Sequence, residues 1–165
     1  MRYADSPTTD VELFVGAPPE RVWDLVTDLN LIVDASPELV GVRWLDGATG
    51  PAVGARFVGT NFHRAVGEWE TTSIVIDLDR PKVFAWADTD VDHPSAIWRF
   101  TLRPRDDGTV VRQWAQLGPG PSFLNHAIDA MPDKEERIIQ RRLSEFRAGM
   151  TANLARIKEL SETAS

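Results

Sequence analysis

Few residues in this chain have the type and setting to do chemistry. There is no cysteine among the 165 residues, which removes thiolate nucleophiles, disulfides and cysteine-bound metal. Of the three histidines, His63 closes a segment, Ala55 to Arg64, whose alternation places Phe57, Gly59, Asn61 and His63 on one face. An imidazole on an inward face can move a proton near neutral pH. Its place beside Arg64 at a strand end, however, favours a solvated histidine. His93 falls in a turn and His126 on a short helix, both settings that favour the surface. The same period-two counting puts the polar side chains of Asn61, Thr71, Ser73 and Gln113 inward. A buried polar group without a partner costs about 1–3 kcal/mol, so each needs a mate, a water or a ligand. The candidates for proton handling or carbonyl polarisation are therefore His63, Asn61 and Gln113.

Other motifs read as structure. The run Asp88-Thr89-Asp90-Val91-Asp92-His93 invites a calcium loop, but such a loop needs glycine sixth and glutamate twelfth, where this chain has His93 and Arg99. A charged hairpin between two strands is the reading that remains. Gly118-Pro119-Gly120 is no phosphate cradle, because proline removes a donor and no lysine follows. No serine, histidine and aspartate share a motif, which argues against a hydrolytic triad. No metal and no cofactor are expected.

These residues must be positioned by elements with clear periods. Val11 to Ala17 reads as a strand, and Pro18-Pro19-Glu20 opens a helix with Val22, Leu25, Val26 and Leu29 as its apolar stripe. Leu31 to Ala35 suggests a second short helix, ended by Ser36-Pro37. The period then changes to two. Strands are expected over Leu39 to Leu45, Ala55 to Arg64, Gly67 to Asp77, Val83 to Asp88, Ala96 to Leu102 and Thr109 to Leu117. Inward positions on them are Trp44, Phe57, Trp69, Phe84, Trp86, Trp98 and Phe100. Ser122 caps a short helix through Met131.

From Asp133 to Thr163 the pattern is helical without a break. Asp133 suits the N-cap, and Ile139, Leu143, Phe146, Met150, Leu154 and Ile157 form one stripe. Arg137, Arg141, Arg142, Glu145 and Arg147 fall on the other faces. A rod of this length spans roughly 45 Å and must lie across something broad and apolar. Strands joined by hairpin-sized turns form an antiparallel sheet, so the fold class is α+β, with about seven curved strands wrapped round the long helix. Phe146 and Met150 then face the aromatic side of the sheet and are expected to help close a cavity.

Length suits one domain over 1–165, with residues 1–9 as a loose leader. The net charge of −7 argues against nucleic acid and anionic membrane surfaces. No apolar run is long enough for a membrane span or a secretory leader, so no membrane insertion is expected and the default location is cytoplasmic. Nothing in the sequence sets the oligomeric state.

Ala17-Pro18-Pro19-Glu20-Arg21-Val22-Trp23, Gly54-Ala55-Arg56-Phe57 with Gly59 and Asn61, Trp69-Glu70-Thr71, Asp79-Arg80-Pro81, Trp98-Arg99-Phe100 and Gly108-Thr109-Val110-Val111, followed by the amphipathic terminal helix, form a pattern over nearly the whole chain. It resembles the START-like or Bet v 1-like (SRPBCC) helix-grip superfamily, and within it the bacterial polyketide cyclase/dehydrase-like branch. That resemblance implies a pocket for lipids, sterols or polyketides, sometimes with cyclisation, dehydration or hydrolysis; no catalytic motif carries over residue by residue. The leading expectation is a carrier or binding protein for a small, mostly apolar, polyketide- or lipid-like molecule. A cyclase or dehydratase using the same cavity is the alternative, and a protein-interaction domain is a third. The residues expected against the ligand are Trp44, Phe57, Gly59, Asn61, Trp69, Thr71, Phe84, Trp86, Trp98, Phe100, Gln113, Phe146 and Met150.

Overall fold

The computed structural model describes residues 1–163. Among them, seven strands form one sheet: β1 (Thr8–Val15), β2 (Leu39–Trp44), β3 (Arg56–His63), β4 (Gly67–Asp79), β5 (Val83–Asp88), β6 (Ala96–Arg105) and β7 (Gly108–Leu117). Their order is β1-β7-β6-β5-β4-β3-β2, with every pairing antiparallel. Between β1 and β2 lie α1 (Pro19–Val26) and α2 (Leu29–Ala35), and after β7 come α3 (Leu124–Ala130) and the long α4 (Glu135–Thr163). This is the α+β helix-grip arrangement that the pattern predicts.

Local chemistry explains the boundaries. Proline at the first position of α1 and the Asp28 side chain accepting from the Asn30 N–H start the two short helices. Strands β2 to β7 pair with one another in chain order, and β1 pairs with β7 from Thr8↔Gln116 to Val15↔Thr109. Register shifts at Leu39/Gly41 and Val75/Asp77 bend the sheet. Gly108 is needed where β1 and β7 meet, since a Cβ there would stand 2.4 Å from the Val15 carbonyl oxygen.

The long helix packs on β1 and β7 and against the other three helices. Its buried face comprises Ile139, Arg142, Phe146, Met150, Asn153, Leu154, Ile157 and Ser161. Spacings of three and four define the stripe, but its content departs from the apolar expectation. Arg142, expected on a solvent face, is 6% exposed, whereas Leu143 is only partly buried. Asp133, expected as the N-cap, lies just ahead of the helix in a 3-10 turn, Pro132–Lys134.

The N-terminal residues, expected to be loose, are tied down. Tyr3 is buried and donates its hydroxyl to the Gly120 carbonyl at 2.5 Å, while its N–H donates to Glu135. Thr8 and Thr9 already pair with β7. The short leader therefore fastens the loop after β7 to the start of α4.

Two apolar clusters fill the space between sheet and helices. One, built round Val22, Val26, Phe84, Phe100, Leu154 and Ile157, packs α1 and α2 on the sheet. The other joins Tyr3, Leu117, Leu124, Ile128, Ile139, Phe146 and Met150 under α3. Trp98 packs against both.

Candidate functional site

A cavity of about 880 Å³ opens between the sheet and α4 and is lined by members of both clusters. That volume suits a drug-sized molecule. Sequence-predicted residues on its wall are Phe57, Gly59, Asn61, His63, Trp69, Thr71, Trp86, Trp98, Gln113, Phe146 and Met150. Trp44, Phe84 and Phe100 are placed otherwise. Phe84 and Phe100 are fully buried and stack on each other at 6.5 Å, and Trp44 packs edge-on against Phe57 at 5.4 Å, away from the cavity. All three lie on the inward face, but the α1 and α2 side chains cover their end of the sheet.

The wall is aromatic on both sides. Trp98 packs on Phe146 at 4.6 Å, joining β6 to α4, and Trp69 meets Phe123 edge-on at 5.2 Å. Phe123, from the loop before α3, also approaches His63 at 5.9 Å. Sequence reading missed Phe123 because its segment shows no period.

Polar groups on the wall fall into three sets. At one side Arg142 makes a forked pair with Glu38, at 2.8 and 2.9 Å, and reaches Glu145 at 3.2 Å. Its guanidinium stacks on Phe123 at 4.9 Å and on Phe146 at 4.8 Å. Burial lowers the affinity of Arg142 for its proton, but the two carboxylates outweigh it and the net shift is upward. Glu145 completes the set by accepting from His63 Nε2 at 2.8 Å. Desolvation raises its pKa, yet the hydrogen bonds from His63 and Arg142 bring it below the usual carboxylate range. His63 Nδ1 accepts the Ala65 N–H at 3.1 Å, which assigns the ring proton to Nε2. Both nitrogens of His63 are thus engaged.

Deeper in the fold, Asn153 donates to Gln113 Oε1 at 3.1 Å, and both residues are buried on the cavity wall. The side-chain Oδ1 of Asn153 has no partner among the described residues. Asn61 donates weakly to Gly59 O at 3.4 Å and to Thr71 at 3.5 Å.

The third set centres on Asp88, which within its run of acids reads from sequence only as part of a charged hairpin. Asp88 ends β5 and faces the cavity. Its Oδ1 accepts from Ser73 Oγ at 2.6 Å and its Oδ2 from Trp98 Nε1 at 2.9 Å. Burial pushes its pKa up to about 6, against the lowering effect of those two bonds. Asp90 turns away to accept the Asp92 N–H. Among the described residues, no group of three or more histidines and acids is close enough to share a metal ion. The period-two count through Phe84 and Trp86 points straight at Asp88 and was the available signal.

A family model described as polyketide cyclase / dehydrase and lipid transport matches residues 7–162. A polyketide-cyclase-like protein from Corynebacterium glutamicum, solved by NMR, is 29% identical, with a TM-score of 0.65 over 94% of this chain and 91% of that one. The di-domain ARO/CYC protein StfQ of the steffimycin biosynthetic pathway matches with a TM-score of 0.70 at 14% identity, over 94% of this chain and 50% of its own. A protein from Thermus thermophilus matches with a TM-score of 0.63 at 14% identity, over 94% of this chain and all (100%) of its own. The chain spans about half of the di-domain relatives. No curated protein matches it in sequence. No helix among the described residues is long and apolar enough to cross a membrane.

Proposed function

Since the chain belongs to the polyketide cyclase / dehydrase and lipid transport family, we propose that it binds a small, mostly apolar molecule, polyketide- or lipid-like, between the sheet and α4. The observation that carries this reading is the cavity of about 880 Å³ with tryptophan and phenylalanine on both walls. Apolar contact with Trp86, Trp98, Phe57, Phe146 and Met150 supplies affinity at about 25 cal/mol for each Å² taken from water. The polar sets at Arg142, Gln113 and Asp88 select among ligands by the hydrogen bonds they offer. In this carrier reading, changing Asn61, His63 or Gln113 alters which analogues are preferred more than how tightly the apolar body is held.

The test is native mass spectrometry of the protein as purified, followed by titration of whatever small molecule is released. Trp98→Ala and Phe146→Ala are expected to weaken that molecule at least tenfold. Equal affinity in both variants, with the fold intact, contradicts the reading.

A further inference from the structure

Asp88 sits in a row of small side chains. Its cross-strand neighbours are Ser73 on β4 and Ala96 on β6, which leave the carboxyl open to the cavity. One row along, Trp86 and Trp98 wall it with indole. Ser73 holds one oxygen and Trp98 the other, so the group is fixed in place while each oxygen keeps a free lone pair. Among the described residues, none of the charged groups on the cavity wall is hydrogen-bonded to it. Arg142 and Glu145 of α4 are bound up with Glu38 and His63. Arg64, Glu70 and the exposed His126 of α3 complete the charged and titratable lining.

We propose that Asp88 is a proton-transferring base, acting on an acidic C–H of a molecule held in the cavity, so that the site suits an enolisable carbonyl compound. This inference rests on the binding reading above. In the step, the C–H bond breaks, its proton forms an O–H bond on Asp88, and the electron pair moves to the carbonyl oxygen as an enolate. Returning the proton to the same or a conjugated carbon restores the carboxylate, so no oxidant, reductant or other co-reactant is needed. The strength of the base fits. With a pKa of about 6 it is ionised at neutral pH yet more basic than an exposed carboxylate, the condition for efficient proton abstraction. By contrast, Gln113 is a neutral amide and no base, its Oε1 accepting from Asn153, and His63 is held by Glu145 and Ala65.

A generic carbon acid tests this without knowledge of the natural ligand. In 5-nitrobenzisoxazole, a base removes the C3 proton as the N–O bond breaks, which releases 2-cyano-4-nitrophenolate and needs nothing else. The full chain is expected to accelerate this release, with a rate that rises through pH about 6 and then levels. Asp88→Asn is expected to lower kcat/KM by about 10²–10⁴-fold. Ser73→Ala, which removes a bond that lowers the pKa, is expected to move the inflection upward, and it carries the test if Asp88→Asn does not fold. Binding of the unreactive 6-nitrobenzotriazole is measured in parallel. Binding without acceleration, or acceleration that survives Asp88→Asn or shows no inflection, overturns the assignment and leaves the binding reading standing. If neither compound binds or reacts, the cavity reading falls and the base assignment with it.

Discussion

Arg142 in the long helix grips Glu38, 104 residues earlier in the chain, through two parallel N–H···O bonds of 2.8 and 2.9 Å. Forked pairs of this kind are directional as well as strong. This one sets the distance between α4 and the entry to β2, and therefore the width of the cavity on that side.

Removing the guanidinium leaves Glu38 and Glu145 facing each other without a cation. Arg142→Ala is expected to cost about 2–4 kcal/mol, less than a fully buried pair because both carboxylates keep some contact with solvent. Urea denaturation at neutral pH checks this. The cost is expected to shrink in Arg142→Ala/Glu38→Gln, since the double change removes the repulsion as well as the pair.

Asp88 also affects stability, independently of any chemistry in the cavity. Its pKa is about 6 in the fold, against 3.8 when free. The folded chain therefore holds a proton that the unfolded chain releases between those values. Stability is highest below pH 3.8 as far as this group is concerned, falls as pH rises to about 6, and is level above. The size of the shift corresponds to about 3 kcal/mol at neutral pH. Asp88→Asn is expected to remove that loss, raising Tm at pH 8 and leaving it little changed at pH 4. Equal effects at both pH values contradict the buried-carboxylate account.

Tyr3 ties the leader to the loop that carries Phe123. Tyr3→Phe loses the hydroxyl's bonds to Gly120 and Ser122 and is expected to cost about 1–3 kcal/mol, because the Gly120 carbonyl is left without that donor. Tyr3→Ala also empties a space in the apolar cluster under α3 and is expected to cost about 3–5 kcal/mol. Chemical denaturation of the two variants separates the contributions.

What could be read from the sequence follows from the range of each signal. Alternation along a strand is local, so the inward faces of Phe57, Trp86 and Trp98 were legible, as was the stripe through Phe146 and Met150. Alternation states the face but not the position along the strand. Phe84 and Phe100 share the face of the cavity wall and lie instead under α1 and α2, which only the packing of Val22, Val26 and Leu154 decides. Arg142 resembles any solvated arginine on a charged helix face, because the partner that buries it comes from another part of the chain. Asp88 was hidden by its neighbours: an acid followed by Asp90 and Asp92 reads as a turn. Tyr3 carries no periodic context at all.

The proposed binding requires an apolar molecule to enter the space between sheet and α4. Gly149 lines that space, and among the described residues no atom beyond the backbone of its own helical turns lies within 4 Å of where its Cβ would stand. It is a cleaner place to fill than Gly59, whose Cβ would press on Leu39 Cδ1 at 2.9 Å. Gly149→Phe also replaces a mid-helix glycine, a gain of about half a kcal/mol in helix propensity. The direct measurement is titration with the neutral fluorophore N-phenyl-1-naphthylamine, read as energy transfer from tryptophan, on the unaltered chain and on Gly149→Phe. Saturable binding to the former, lost or weakened at least tenfold in a variant that still melts cooperatively, is the predicted result. Equal binding to both, or none to the unaltered chain, contradicts it.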